Sequence, residues 1–242
     1  MPVLDATAVL AIPWGIDYAS VVVGVLTGAM FGCRSKLDVV GTTVAGFLTG
    51  FGGGIVRDLL LGASNIYFMS HPDLILVSLA ICLLTFYFRG VFLDLNRSIL
   101  VADTLSVALF ALAGSSKAFA YGLDPVYVVI LGTITAVGGG ALRDAMAGVT
   151  PAIFRGSNFY AVACLGGSVA FAAMAYFGLP LVAAGFGCVG AVLALRYLSI
   201  RFDWKTREYR DLTPRVVAAA KGASSSSHQS DRLDALPNGR ED

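Results

Sequence analysis

Seven long apolar stretches, separated by short polar connections, constrain the fold of this chain more than any other feature of its sequence. They cover residues 15–33, 39–61, 74–88, 99–120, 126–147, 159–177 and 181–200. A helix needs about 20 mostly apolar residues to cross about 30 Å of hydrocarbon, and all but the third stretch are about that long. We therefore predict an all-α integral membrane protein with seven transmembrane helices, called spans here.

The composition excludes several classes of protein. Hydrophobic residues make up 57% of the chain and charged residues 14%, whereas about a quarter of a soluble domain is charged. The net charge is +1 and the basic residues lie singly, so we expect no nucleic-acid partner. The four cysteines and two histidines have no metal-ligand spacing, and no nucleophile lies beside a base, so we predict no metal, no cofactor and no enzymatic activity.

The basic residues in the short connections predict the orientation, because loops rich in Lys and Arg stay in the cytoplasm. They follow the first, third, fifth and seventh spans, and the other three connections contain neither Lys nor Arg. The N-terminus is therefore expected outside the cell and the C-terminus in the cytoplasm. Residues 201–242, which are polar and include a run of four serines, are predicted to form a cytoplasmic tail that is largely disordered at its end.

One motif occurs twice, 86 residues apart. GFGGGIVRDLLLG covers residues 50–62 and AVGGGALRDAMAG covers residues 136–148. When residues 17–62 are aligned at this offset without a gap, 16 of 46 positions are identical. Since each copy contains three spans, the second copy must enter the membrane from the opposite side. We predict an inverted repeat of two three-helix units, residues 15–90 and 98–177, followed by a seventh helix at 181–200.

Three consecutive glycines lie within each of spans two and five. Each glycine costs about 1 kcal/mol relative to alanine in a helix, and exposed backbone at membrane depth is tolerated only where protein or water meets it. We expect each triplet to kink or break its span beside an aqueous path. The alternative is close helix packing of the small-residue kind, which needs no pore. The triplets are Gly52, Gly53 and Gly54, and Gly138, Gly139 and Gly140.

Charged residues inside the spans complete the candidate site, because each costs at least about 2.5–3.5 kcal/mol unless it finds a partner or water. By depth, we expect one ion pair near each mouth of the path, Asp17 with Arg57 and Asp103 with Arg143. Adjacent helical residues point about 100° apart, so neither arginine is expected to neutralise the aspartate that follows it. The carboxylates expected to stay unpaired and to line the path are Asp58 and Asp144.

Four carboxylates against two guanidinium groups give the proposed path a charge of −2, which favours cations over anions. In the alternative interpretation, all six charges form structural networks at the repeat interface.

Three polar residues extend the candidate site. Lys117, near the outer end of span four, is expected to extend to the membrane interface, with a gating or blocking charge as the alternative. The hydroxyls of Thr49 and Thr135 are candidates for lining the path, although a membrane threonine usually bonds to a carbonyl of its own helix.

The doubled GGGxxRD motif and the seven spans resemble the prokaryotic trimeric intracellular cation (TRIC) channel family, whose repeated domain is also described as a glycine-transporter domain. The resemblance covers about residues 15–200 and rests on GGGIVRD at 52–58 and GGGALRD at 138–144. It implies a homotrimer in a prokaryotic inner membrane. It also implies one water-filled pore per protomer, lined by kinked spans two and five and permeable to monovalent cations, mainly potassium.

Two functions remain open at this point. A passive cation channel is the first, and a secondary transporter of a small solute such as glycine is the second, because both classes use inverted repeats. Animal members of the channel family carry a Lys-Glu-Val element associated with phosphoinositide binding. This sequence has no such element, so phosphoinositide regulation is not implied.

Overall fold

The computed structural model describes residues 13–90, 96–154 and 159–204. In these residues each predicted span is a helix. Its first and last residues lie within three positions of the predicted ends. Five helices are long and apolar enough to cross a membrane, and α3 and α6 are shorter, with 16 and 17 residues. The helices are α1 Pro13–Arg34, α2 Val39–Leu60, α3 Pro72–Tyr87, α4 Asn96–Ala120, α5 Pro125–Met146, α6 Tyr160–Tyr176 and α7 Leu181–Arg201.

The prediction of an all-helical membrane fold with seven helices is therefore confirmed. The predicted tail lies outside the described residues, apart from 201–204.

Buried apolar side chains form two clusters, one in each group of helices. The first cluster joins α1, α2 and α3 and includes Val25, Phe51 and Leu74. The second joins α4 to α7 and includes Phe171 and Val192. Helix α7 thus completes the core of the second group.

Helices α2 and α5 end in the same way. Each is followed by a glycine in the left-handed region, Gly62 with φ of 60° and Gly148 with φ of 69°. Glycine adopts this conformation without the steric penalty that other residues pay, so it ends a helix and reverses the chain. Each reversal leads into a short 3₁₀ turn, Tyr67–Ser70 after α2 and Ala152–Phe154 after α5.

Candidate functional site

The glycine triplets lie where α2 crosses α5. Both helices continue through their triplets as uninterrupted α-helix, so the expectation of a broken turn is wrong. The reason is that the neighbouring helix covers the bare backbone. A methyl group on Gly53 would overlap the carbonyl oxygen of Thr135, and one on Gly139 would overlap that of Thr49. The middle glycines therefore serve close helix packing.

These contacts exchange with each other under the 86-residue offset. The offset converts the contact between Gly53 and Thr135 into the contact between Gly139 and Thr49. A Cβ atom on Gly52 would lie 3.2 Å from Cα of Gly139, and the exchanged contact, Gly138 with Gly53, also exists at 3.5 Å. The two helices thus present the same surface to each other.

The third glycine of each triplet lies beside an arginine, and a methyl group there would make only ordinary contacts. A Cβ atom on Gly54 would lie 4.0 Å from Nη2 of Arg57, its nearest contact apart from its chain neighbours and the backbone of its own helix. A Cβ atom on Gly140 would lie 3.9 Å from Nη2 of Arg143 and 3.6 Å from the hydroxyl of Tyr160. Both positions leave room next to a guanidinium group.

Four charged side chains meet at one end of this crossing. Nη1 of Arg57 lies 2.6 Å from Asp17, and Nε lies 2.7 Å from Asp58, so the predicted pair of Asp17 and Arg57 is present. Nζ of Lys117 lies 2.8 Å from the same oxygen of Asp58. Because Lys117 is in α4, this ion pair links the two three-helix groups. We call Asp17, Arg57, Asp58 and Lys117 the first charge cluster.

A second set of four lies at the other end. Nη2 of Arg143 lies 2.7 Å from Asp144, and Nη2 of Arg196 lies 3.9 Å from Asp103. The guanidinium of Arg196 also lies over the ring of Tyr160, 4.9 Å from its centroid. We call Asp103, Arg143, Asp144 and Arg196 the second charge cluster.

Three predictions about these charges are wrong. Asp103 pairs with Arg196 of α7 and not with Arg143. Each arginine does bond to the aspartate that follows it, because the long guanidinium arm turns back across the 100° step between the two residues. The carboxylates predicted to be unpaired are therefore paired, and they are Asp58 and Asp144.

The two paired aspartates also hold the 3₁₀ turns. Oδ2 of Asp58 accepts the backbone N–H of Tyr67 at 2.9 Å, and Oδ2 of Asp144 accepts that of Ala152 at 3.1 Å. These N–H groups belong to the first residue of each turn, where the hydrogen bonds of the turn have not yet begun. Each aspartate thus ties the end of its own helix to the turn that follows.

Lys117 and its repeat mate, Phe31, occupy exchanged positions. Lys117 contacts Asp58 of the first unit, and Phe31 lies against Arg143 of the second, 4.2 Å from the ring centroid to the guanidinium carbon. Since the side chain of Lys117 is 18% exposed and ion-paired, the expectation that it extends to the membrane interface is wrong.

Sequence reasoning missed Arg196, which is 8% exposed near the end of α7. It lies only five residues before Arg201, at the cytoplasmic end of the span, so it was grouped with the basic residues of the membrane interface. Arg196 is more than one helical turn inside the apolar stretch, and that position could have identified it as a buried charge.

The two threonines are buried and bonded within their own helices. The hydroxyl of Thr49 donates to the carbonyl of Ala45 at 2.8 Å, and that of Thr135 donates to Leu131 at 2.6 Å. These are the intrahelical bonds that membrane threonines usually form.

Each cluster contains two carboxylates and two cationic groups, so each has a formal charge of zero. The expected charge of −2 is wrong because Lys117 and Arg196 add two positive charges. In the part of the chain that the structure describes, no three His, Cys, Asp or Glu side chains are arranged to hold a metal ion.

Comparisons with known proteins identify a family that this chain matches and several similar proteins. The family model described as Glycine transporter matches residues 15–90 and again residues 100–176. The UPF0126 inner membrane protein YadS of Escherichia coli K12 is 31% identical over 192 residues, which are 78% of this chain and 92% of that protein. The likeness to an inner membrane protein and the apolar helices together support a multi-pass protein of a bacterial inner membrane.

Two solved structures are similar as well, and both are channels rather than enzymes. One TRIC cation channel superposes with a TM-score of 0.75 at 30% identity, covering 81% of this chain and 96% of that one. The trimeric intracellular cation channel orthologue from Rhodobacter sphaeroides superposes with a TM-score of 0.73 at 32% identity, covering 78% and 97%. The matched ranges and these relatives show that the chain belongs to the glycine transporter family, which includes the UPF0126 membrane proteins.

Proposed function

We propose that this protein is a passive cation channel, permeable mainly to potassium, with one pathway in each protomer. The observation that carries the proposal is the likeness to TRIC cation channels over about four fifths of the chain at 30–32% identity. The trimeric state in the name of the Rhodobacter sphaeroides protein supports a homotrimer here. The membrane lipid and monovalent cations are then its partners.

The exchanged contacts support an inverted repeat. A set of contacts that maps onto itself when two halves are exchanged is the signature of a two-fold relation. The contacts of Gly53 with Thr135 and of Gly139 with Thr49 meet this condition. Because each half has three spans, the two-fold axis lies in the membrane plane. Residues 15–90 and 98–177 are the two units of this proposal.

We place the pathway along α2 and α5, past Gly54 and Gly140, where no side chain covers the helix beside the guanidinium groups. A bend at the triplets belongs to this proposal. The connections rich in Lys and Arg put the second charge cluster near the cytoplasm and the first near the outside. Since both clusters are neutral, cation preference along this route does not come from their formal charge.

A planar bilayer containing the purified protein tests the channel. We expect single-channel currents that reverse near the potassium equilibrium potential in a potassium gradient. Absence of current from a folded protein would contradict the proposal. Native mass measurement in detergent tests the oligomer, and a monomer alone would remove the trimer.

The route has its own matched pair of variants. Gly140→Leu places a bulky side chain beside Tyr160 and Arg143, and we expect it to lower the unitary conductance several-fold. Gly190→Leu adds the same side chain at an exposed position of α7 with no neighbour within 4 Å, and should conduct like the wild type. Equal conductance in both variants would place the route elsewhere.

A secondary transporter of glycine is the second candidate, because the family itself is described by that activity. Saturable uptake of labelled glycine into liposomes, without single-channel current, would favour it over the channel. Potassium current without uptake would exclude it.

A further inference from the structure

The guanidinium of Arg57 has one buried nitrogen, Nη2, that meets no acceptor in the part of the chain that the structure describes. Nε and Nη1 donate to Asp58 and Asp17 at 2.7 and 2.6 Å. Nη2 is buried and meets no acceptor among residues 13–90, 96–154 and 159–204, and the whole side chain is 1% exposed. A buried donor of a charged group without an acceptor costs about 1–3 kcal/mol or more, so native structures supply one.

A small cavity is lined by Arg57 and by Gly54, whose Cβ position lies 4.0 Å from Nη2. Its volume is about 10 Å³, close to that of one water-sized sphere. Its lining includes Gly54, Arg57, the carboxylate residue Asp17, and Tyr67 and Phe68 of the first 3₁₀ turn, and the other lining residues are apolar. Because Gly54 has no side chain, the space beside Nη2 stays open.

The chemistry of the wall selects the occupant. A guanidinium group presents donors only, so the group that binds Nη2 must accept a hydrogen bond, which a potassium ion cannot do. The volume excludes a molecule as large as glycine in this conformation. One water molecule meets both conditions, whereas a halide ion accepts a hydrogen bond but is larger than a water molecule.

We infer that this cavity is a binding site for one small hydrogen-bond acceptor, a halide ion such as chloride or a single water molecule, held by Nη2 of Arg57 beside Gly54. The site does not depend on the proposed channel activity. A bound halide would change the charge of the first cluster and its ligand from zero to −1, whereas water would leave it at zero.

The second unit contains a built-in control. Nη2 of Arg143 occupies the equivalent position beside Gly140, but it already donates to Asp144 at 2.7 Å. It therefore already has an acceptor within the protein. Gly54→Ala puts a methyl group into the cavity of the first unit, and Gly140→Ala makes the same change in the second.

The test is a structure of the full chain in lipid or detergent, at a resolution that shows ordered water, with bromide replacing chloride. We expect density within hydrogen-bond distance of Nη2 of Arg57 in the wild type and in Gly140→Ala, and its loss in Gly54→Ala. Anomalous scattering at that position identifies a halide, and density without it identifies water.

An empty cavity in the wild type would overturn the inference, as would density that persists in Gly54→Ala or a protein acceptor bonded to Nη2. Thermal unfolding in chloride and in gluconate at equal ionic strength gives a second reading. A ligand that binds the folded state raises the unfolding midpoint. If the site binds a halide, the midpoint should be higher in chloride than in gluconate for the wild type and Gly140→Ala, but not for Gly54→Ala. If the midpoint is the same in both salts, density at the site is assigned to water, and an empty cavity overturns the inference.

Discussion

Gly139 of α5 packs directly against the backbone carbonyl oxygen of Thr49 in α2, with no room for a methyl group between them. Gly139→Ala must therefore push the two helices apart. We expect it to lower the free energy of unfolding by about 1–3 kcal/mol, the usual cost of overpacking. The measurement is the thermal unfolding midpoint of the purified protein in detergent.

The adjacent variant Gly138→Ala is the matched control for this change. Its Cβ atom would lie 3.5 Å from Cα of Gly53, which is an ordinary contact. Alanine also favours a helix more than glycine does, by about 1 kcal/mol. We expect its midpoint to equal or exceed that of the wild type, and equal losses in both variants would contradict the close crossing.

The ion pair between Asp58 and Lys117 is expected to couple α2 to α4. In a double-mutant cycle with Asp58→Asn and Lys117→Met, we expect a coupling energy of about 1–3 kcal/mol, because residues in direct contact inside one network are not additive. A cycle with Lys117→Met and Asp144→Asn serves as the control and should be additive within about 0.5 kcal/mol. Additivity in the first cycle would show that the pair contributes nothing to stability.

Asp144 should protect the backbone amide of Ala152 from hydrogen exchange. Asp144→Ala removes the acceptor at 3.1 Å, and we expect exchange at that amide to become at least about tenfold faster. Asp144→Asn keeps an oxygen acceptor and should have a smaller effect. Asp103→Ala, which changes a carboxylate paired with Arg196, should leave this amide unchanged. Faster exchange in all three variants would indicate a general loss of structure instead.

Arg196 is expected to hold α7 through both its charge and its flat guanidinium group, which lies over Tyr160. Arg196→Lys keeps the charge and loses the planar contact, so we expect a loss of about 0.5–2 kcal/mol. Arg196→Gln loses the charge as well and should cost more, because Asp103 then lacks its cationic partner. Unfolding of the two variants in parallel measures the difference, and a lysine variant less stable than the glutamine variant would contradict it.

The helices could be predicted from the sequence because each span is set by a long run of apolar residues, and the bilayer thickness fixes its length. The contact of Asp17 with Arg57 could be predicted from depth alone, since both lie near the same end of adjacent spans. The 86-residue offset could also identify the glycines at the helix crossing, because Gly53 and Gly139 lie at the same position in the two copies of the motif.

The partners of the other charges could not be predicted in this way. Depth gives the position of a residue along a helix axis but not the direction of its side chain. Asp103 and Arg143 are level, yet Asp103 pairs with Arg196. Arg196 lies in α7, which is outside the repeated segments, so the 86-residue offset could not identify it as a partner. The hydrogen bonds that hold the 3₁₀ turns could not be predicted either. Each joins a side chain to a backbone amide eight or nine residues later, and no sequence pattern indicates such a contact.

The exchanged contacts at the helix crossing impose the same packing limits on α2 and α5. An interface that maps onto itself is the kind formed by two identical chains related by a two-fold axis. Gly53 and Gly139 are therefore subject to the same limit, since each packs against a threonine carbonyl of the other helix. Positions outside the crossing can differ, and Lys117 corresponds to Phe31 at the 86-residue offset.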